Sequence, residues 1–237
     1  MKQETRLRYR VVRVTKETED VSTLDLEIPE GELPAYTPGQ YLTVYFPESG
    51  TPEGKAYTIS SAPSEKRFSL SVKAMGEFSH RLVSMRPGDT VTASLPYGYF
   101  YSESQDAPLV MIAGGIGVSP FRSMIVDIMG KNPARRLLLL YSGRTLSSMA
   151  FKGTFDELSR RNPTFQVRFF VTREEPVTPD VSVGRINGRR ILEVAGDTAQ
   201  AEFLICGSIP FARDLWRELK SLGVPEENMY TEAFFSH

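Results

Sequence analysis

The sequence predicts two domains of different class: an antiparallel six-stranded β-barrel over residues 1–103, followed over residues 104–237 by an α/β domain with a parallel sheet. Three observations lead there. Up to about residue 100, apolar and polar side chains alternate in short runs, the two-residue period of strands with one wet face. Turn-forming clusters separate those runs. From residue 108 onward, short apolar runs alternate instead with segments of helical period, the pattern of strands covered by helices.

In the first domain the spacing predicts strands over 8–14, 21–28, 40–46, 57–61, 67–73 and 90–95, and one helix over 78–85. Pro29-Glu30-Gly31, Thr37-Pro38-Gly39, Glu53-Gly54 and Arg86-Pro87-Gly88-Asp89 supply the breaks. Closing six short strands on themselves removes exposed sheet edges. The polar stretch 101–107 marks the boundary. Beyond it, strands over 108–113, 136–141, 165–172, 203–206 and near Met229 alternate with helices over 120–129, 151–160, 188–194 and 210–222.

Bulk properties narrow the function. Lys and Arg (28) balance Asp and Glu (29), so net charge drives binding neither to nucleic acid nor to a membrane surface. The single cysteine, Cys206, cannot build a disulfide framework, a zinc site or an iron–sulfur centre. His80 and His237 are unclustered, predict no metal site and are expected to face solvent. The start is polar and basic without an apolar run behind it, and no segment has the length of a membrane span, so the expected compartment is the cytoplasm.

Ala113-Gly114-Gly115-Ile116-Gly117-Val118-Ser119-Pro120 follows a buried strand and opens a helix. Glycines let the backbone approach a pyrophosphate, and a helix start offers free N–H groups. Pro120 suits the first helical turn. The second strand of this half ends in Ser142-Gly143-Arg144-Thr145, where an acid would bind the ribose hydroxyls of NADH. Arg144, with Arg173 and Arg185 after the next strand, favours the 2′-phosphate of NADPH; solvated surface arginines are the alternative, which leaves NADH open.

Lys55-Ala56-Tyr57-Thr58-Ile59-Ser60 resembles the Arg-x-Tyr-Ser/Thr flavin motif of the ferredoxin–NADP reductase superfamily. Val72-Lys73 with Gly76-Glu77-Phe78-Ser79 is similar to that family's pyrophosphate loop and short helix, and Pro96-Tyr97-Gly98-Tyr99-Phe100 to its Pro-x-Gly-x-Phe. The glycine turn, Cys206-Gly207-Ser208-Ile209-Pro210 and Thr231-Glu232-Ala233-Phe234 stand in the family's order. The resemblance implies bound FAD, with NADPH or NADH as co-substrate. It places Thr58 beside flavin N5, Cys206 near nicotinamide C4, and Glu232 by the flavin for proton delivery. Phe234, or its neighbour Phe235, supplies a ring against the second flavin face, and Gly207 joins the nucleotide site. The family's first motif residue is Arg where this chain has Lys55, a point charge without the bidentate fork, which predicts a looser phosphate grip.

The expected activity is hydride transfer from NAD(P)H, NADPH favoured, to FAD. Electrons then pass to a separate acceptor such as a flavodoxin, a ferredoxin or an oxygenase component. A plant-type iron–sulfur domain needs four cysteines, and no globin-like segment precedes the barrel, so the acceptor is expected to be another molecule. Two other readings stay open: a flavin or quinone reductase with small acceptors, and a flavin-binding relay subunit without turnover of its own.

Overall fold

The computed structural model describes residues 5–175, 180–196 and 200–234; Phe235 and His237 lie outside the described residues. In the N-terminal half, β1 (Arg6–Lys16), β2 (Val21–Glu27), β3 (Tyr41–Tyr45), β4 (Lys55–Thr58), β5 (Phe68–Lys73) and β6 (Thr90–Ser94) form an antiparallel sheet in the order β4-β3-β6-β1-β2-β5. An antiparallel bridge between Ile59 and Leu70 joins its two ends and closes the barrel. Alternation explains the interior: Tyr9, Val11, Leu24, Leu26, Leu42, Val44, Phe68 and Leu70 all point inward and are buried. Helix α1 (Glu77–Val83) plugs one end with Phe78 and Leu82.

β4 begins earlier than the alternation predicts. Gly54, at φ +80°, turns the chain so that Lys55 and Ala56 already pair with Val44 and Thr43. A Cβ at Gly54 would lie 2.5 Å from the Val44 carbonyl oxygen, so only glycine makes this turn.

The C-terminal half holds β7 (Leu109–Gly114), α2 (Ser119–Lys131), β8 (Leu137–Gly143), α3 (Lys152–Arg161), β9 (Phe165–Val171), β10 (Val181–Val183), α4 (Gly188–Ala195), β11 (Glu202–Ser208), α5 (Ile209–Ser221) and β12 (Met229–Phe234). All pairings are parallel, in the order β10-β9-β8-β7-β11-β12. Among the described strands and α-helices, β10 is the one the sequence pattern does not predict; three residues at a sheet edge are too few to show a period. Phe121, Met124, Ile125 and Phe155 of α2 and α3 cover one sheet face, and Ile191, Ala212, Leu215 and Leu219 of α4 and α5 cover the other. The strand order reverses between β7 and β11, which opens a crevice at their carboxyl ends. Among the described residues, no helix is long and apolar enough to cross a membrane.

Two polar clusters tie the halves together. Arg135 and Glu202, both buried, hold the connecting segment through Ser102, the Ser104 amide and the Ala107 carbonyl. Arg122 and Ser123 of α2 grip residues 60–65 just beyond β4.

Candidate functional site

A cavity of about 770 Å³ lies where the barrel meets the crevice. Lys55, Ala56, Tyr57 and Thr58 of β4 form one wall, Lys73, Gly76 and Ser79 a second, and Glu232 and Phe234 of β12 a third. Tyr57 lies nearly parallel to Phe78, centroids 6.2 Å apart at 21°, so Phe78 supports the Tyr57 ring from behind. Burial raises the Tyr57 hydroxyl pKa above its ordinary value. The Lys55 ammonium sits 5.7 Å from the Phe78 ring centre.

Ser79 shapes the loop ahead of α1. Its Oγ accepts from the Met75 and Gly76 amides at 2.9 and 3.0 Å and donates to the Gly76 carbonyl at 2.9 Å. With the hydroxyl so engaged, Gly76 and Ser79 edge the cavity where the chain turns into α1. Lys73 also has a partner, Asp20 Oδ2 at 3.1 Å.

A second, larger cleft of about 1310 Å³ opens along the carboxyl ends of the parallel strands. Gly114, Gly115, Gly207, Ser142, Arg144, Arg173 and Arg185 line it. The amides of Thr172 and Arg173 both donate to the Arg144 carbonyl, at 3.2 and 2.9 Å, so Arg144 and Arg173 leave from adjoining backbone. Among the described residues, none of these three arginines has an ion-pair partner. Glu174 accepts from the Leu146 amide at 2.6 Å, which draws that acid into the loop.

Several residues that the motifs single out lie behind the walls. Gly117 faces β11; a Cβ there would sit 2.4 Å from the Cys206 carbonyl oxygen, so this glycine serves backbone packing. Pro120 is buried in the first turn of α2, which a 3-10 turn over Gly115–Val118 precedes. Ile59, Val72 and Phe78 point into the barrel core, Ser60 bonds to Ser69 and Ser71, and Glu77 lies outside both cavities. His80 is exposed, as expected, at the rim of the larger cleft. The motifs also miss wall residues: Tyr41 and Ser71 on neighbouring barrel strands, Met75, and residues 18–20 of the β1–β2 turn. Ile116 and Ser119 were within the glycine motif, but only the fold aims them at the smaller cavity.

Of the three residues singled out for catalysis, Thr58 and Glu232 line the smaller cavity and Cys206 lines neither. Cys206 pairs in register with Glu232 on β12 and Ala113 on β7, and it is fully buried in the core beneath α2. Burial, and then the Glu232 charge, push the thiol pKa well above its usual value, so it stays neutral and a poor nucleophile. Glu232 Oε2 is buried without a hydrogen-bond partner, and burial pushes the carboxyl up to about 7.

The two cavities share Lys73, Met75, Ile116 and Phe234, and so form one trough. A flavin dinucleotide fits the smaller cavity: an aromatic platform for a flat ring, the Lys55 ammonium and the Gly76 backbone for a pyrophosphate, and an unpartnered carboxyl for a polar ring edge.

The profile of the oxidoreductase FAD-binding domain matches residues 8–101, and that of the oxidoreductase NAD-binding domain matches residues 111–216. A flavohemoprotein of Chromobacterium violaceum is 29% identical over 97% of this chain and 60% of its own length. This chain therefore spans about 60% of that relative. Among solved structures, the FAD/NAD-binding domain of nitric oxide dioxygenase from Vibrio cholerae superposes with a TM-score of 0.86 at 23% identity, covering 98% of this chain and 99% of that one. A ferredoxin–NADP reductase from Neisseria gonorrhoeae, with bound FAD and NADP, gives 0.81 at 20% identity, covering 98% and 100%. With the FAD-binding and NAD-binding domain families matched in order over most of its length, and with the fold of a ferredoxin–NADP reductase, the chain belongs to the flavin-dependent NAD(P)H oxidoreductases that join these two domains.

Proposed function

We propose that this chain draws hydride from NADPH in the larger cleft and delivers the electrons to a separate one-electron carrier protein, with the flavin unit over residues 1–103 and the nucleotide unit over residues 104–237. The observation that carries the reading is the shared trough: one cavity with an aromatic platform and an orphaned carboxyl opens into an arginine-lined cleft. FAD, when bound, accepts hydride and releases electrons singly, which supplies the conversion between two-electron and one-electron chemistry. Tyr57 offers the stacking face and Thr58 a hydroxyl at the reactive edge. Glu232, half protonated near neutral pH, holds a proton beside them. Gly114, Gly115 and Gly207 let the coenzyme backbone come close, and Ser142, Arg144, Arg173 and Arg185 receive its 2′-phosphate. Phe234 borders both cavities, where a ring can cover the flavin until the nicotinamide arrives. Cys206 packs behind Glu232 as a positioning residue. The single cysteine, buried and reduced, fits a cytoplasmic setting. The flavohemoprotein relatives are named for a haem, and a carrier with a metal centre suits this reading.

Anaerobic mixing of the FAD-loaded protein with NADPH or NADH tests it. We expect flavin bleaching with both coenzymes, at least tenfold more efficient with NADPH, and reoxidation on adding ferredoxin, flavodoxin or a haem protein. Absence of bleaching with either coenzyme refutes the reading. Reoxidation by free flavin or quinone alone shifts it to a small-acceptor reductase.

A further inference from the structure

The seam between the domains combines apolar packing, with Phe100 against Phe121, and directional polar contacts that seize the segment leaving the flavin strand. Arg122, on the first turns of α2, donates from Nη1 to the Ser60 carbonyl at 3.2 Å. Both of its terminal nitrogens pair with the Glu65 carboxylate, Nη2 to Oε1 at 2.9 Å. Glu65 also accepts from the Ala62 amide at 2.7 Å and from Arg67 at 2.8 Å. One residue on, Ser123 Oγ donates to the Ser61 carbonyl at 2.5 Å.

The placement matters more than the number of bonds. Thr58, two positions before Ser60, lines the flavin cavity, and so does Ser119, three positions before Arg122. The clasp thus joins the segment just beyond the Thr58 wall to the helix that follows the glycine turn. Arg122 and Glu65 themselves touch neither cavity and are only 16% and 17% exposed. A partly buried ion pair is a weak source of stability, because desolvation offsets its attraction. A bidentate guanidinium–carboxylate pair is, however, strongly directional and fixes both distance and angle. Burial alone would raise the Glu65 carboxyl pKa; hydrogen bonds from Arg122 and Ala62 outweigh it and hold the group below its ordinary value, so the clasp stays charged through neutral pH.

We infer that Arg122 and Glu65 are positioning residues for hydride transfer: their clasp holds the flavin strand against the glycine turn and thereby sets how closely nicotinamide approaches flavin. The inference rests on the nicotinamide entering beside Gly114 and Gly115, as proposed above. A shift of the two walls lowers the rate of a step that depends on near-attack geometry while leaving each binding surface intact.

The experiment uses FAD-loaded wild type, Arg122→Ala, Glu65→Ala, the double variant and Arg122→Lys, in anaerobic single-turnover reduction at saturating NADPH. Flavin content, coenzyme affinity and the long-wavelength charge-transfer absorbance of stacked flavin and nicotinamide are read alongside. Each alanine variant is expected to retain FAD, bind NADPH within threefold of wild type and reduce about tenfold more slowly, with weaker charge-transfer absorbance. The double variant should be slowed by less than the product of the two single losses, since both remove the Arg122–Glu65 contact while each also loses partners of its own, and Arg122→Lys should fall between wild type and Arg122→Ala. Wild-type reduction rates in both single variants overturn the inference while the functional reading stands. Rate loss that only tracks lost FAD or lost coenzyme affinity overturns it too, because the pair is then structural. A wild type that neither coenzyme reduces removes the functional reading, and the inference with it.

Discussion

The flavin cavity and the nucleotide cleft share four wall residues, yet they are built from different material. The flavin cavity is walled by barrel strands on two sides and by β12 on a third, and it holds an aromatic platform with its own support, Phe78 behind Tyr57, and a carboxyl left without a partner. The nucleotide cleft is walled by strand ends and glycine turns, and its arginines keep their charge free of ion pairs among the described residues. One region recognises by shape and desolvation, the other by backbone approach and charge. Recognition by shape tolerates little pH change where a buried acid is involved; recognition by charge weakens with salt and with the loss of single side chains.

The largest expected effect comes at the glycine turn where cleft and cavity meet. Gly117→Ala drives a Cβ to 2.4 Å from the Cys206 carbonyl oxygen, where backbone meets backbone and neither yields easily. We expect a stability loss of about 3 kcal/mol, retained flavin binding, and loss of reduction by NADPH. Thermal unfolding and flavin bleaching together check this; normal bleaching would show that the close approach is dispensable.

Next comes the buried acid. Its folded pKa of about 7 lies above its ordinary value, so the unfolded chain releases this proton at lower pH than the folded one. The contribution of Glu232 is then greatest below the ordinary carboxyl pKa and is lost as pH rises through about 7, by about 3 kcal/mol in all. Glu232→Gln should flatten that portion of the stability curve in flavin-free protein, as denaturant titrations between pH 4 and 8 would reveal. An unchanged slope would mean that Glu232 finds a partner in solution.

A smaller effect sharpens the charge side. Arg144→Ala should lower kcat/KM for NADPH by roughly 1.5–3 kcal/mol of transition-state stabilisation, with NADH almost unaffected. Equal losses for both coenzymes would take Arg144 off the 2′-phosphate. Smallest is Lys55→Arg, which puts a bidentate fork in the flavin cavity where a point charge now stands. It should tighten FAD binding by at most about tenfold, about 1.4 kcal/mol, measured by flavin titration of the apoprotein.

What the sequence determined by itself is local. The alternation around Tyr9 and Val11, the turn at Gly54 and the glycine run from Gly114 to Gly117 depend on neighbours a few residues away, so period and turn chemistry reveal them. The motif around Tyr57 and Thr58 is legible through its resemblance to a family motif, because four consecutive residues on one strand edge the cavity together. Strand β10 is not legible, because three residues pair only when β9 is already in place. Side-chain destination is tertiary as well. Cys206 and Glu232 are both readable in the sequence, but only the parallel register of β11 and β12 sets them side by side, with the carboxyl toward the flavin cavity and the thiol in the core. The charge state of Glu232 follows from burial, which no run of sequence encodes locally. Arg122 and Glu65 lie 57 residues apart in different domains, and neither stands out in its own segment. Their meeting depends on how the barrel and the parallel sheet dock, because directional contacts between separate units exist only where both surfaces are formed.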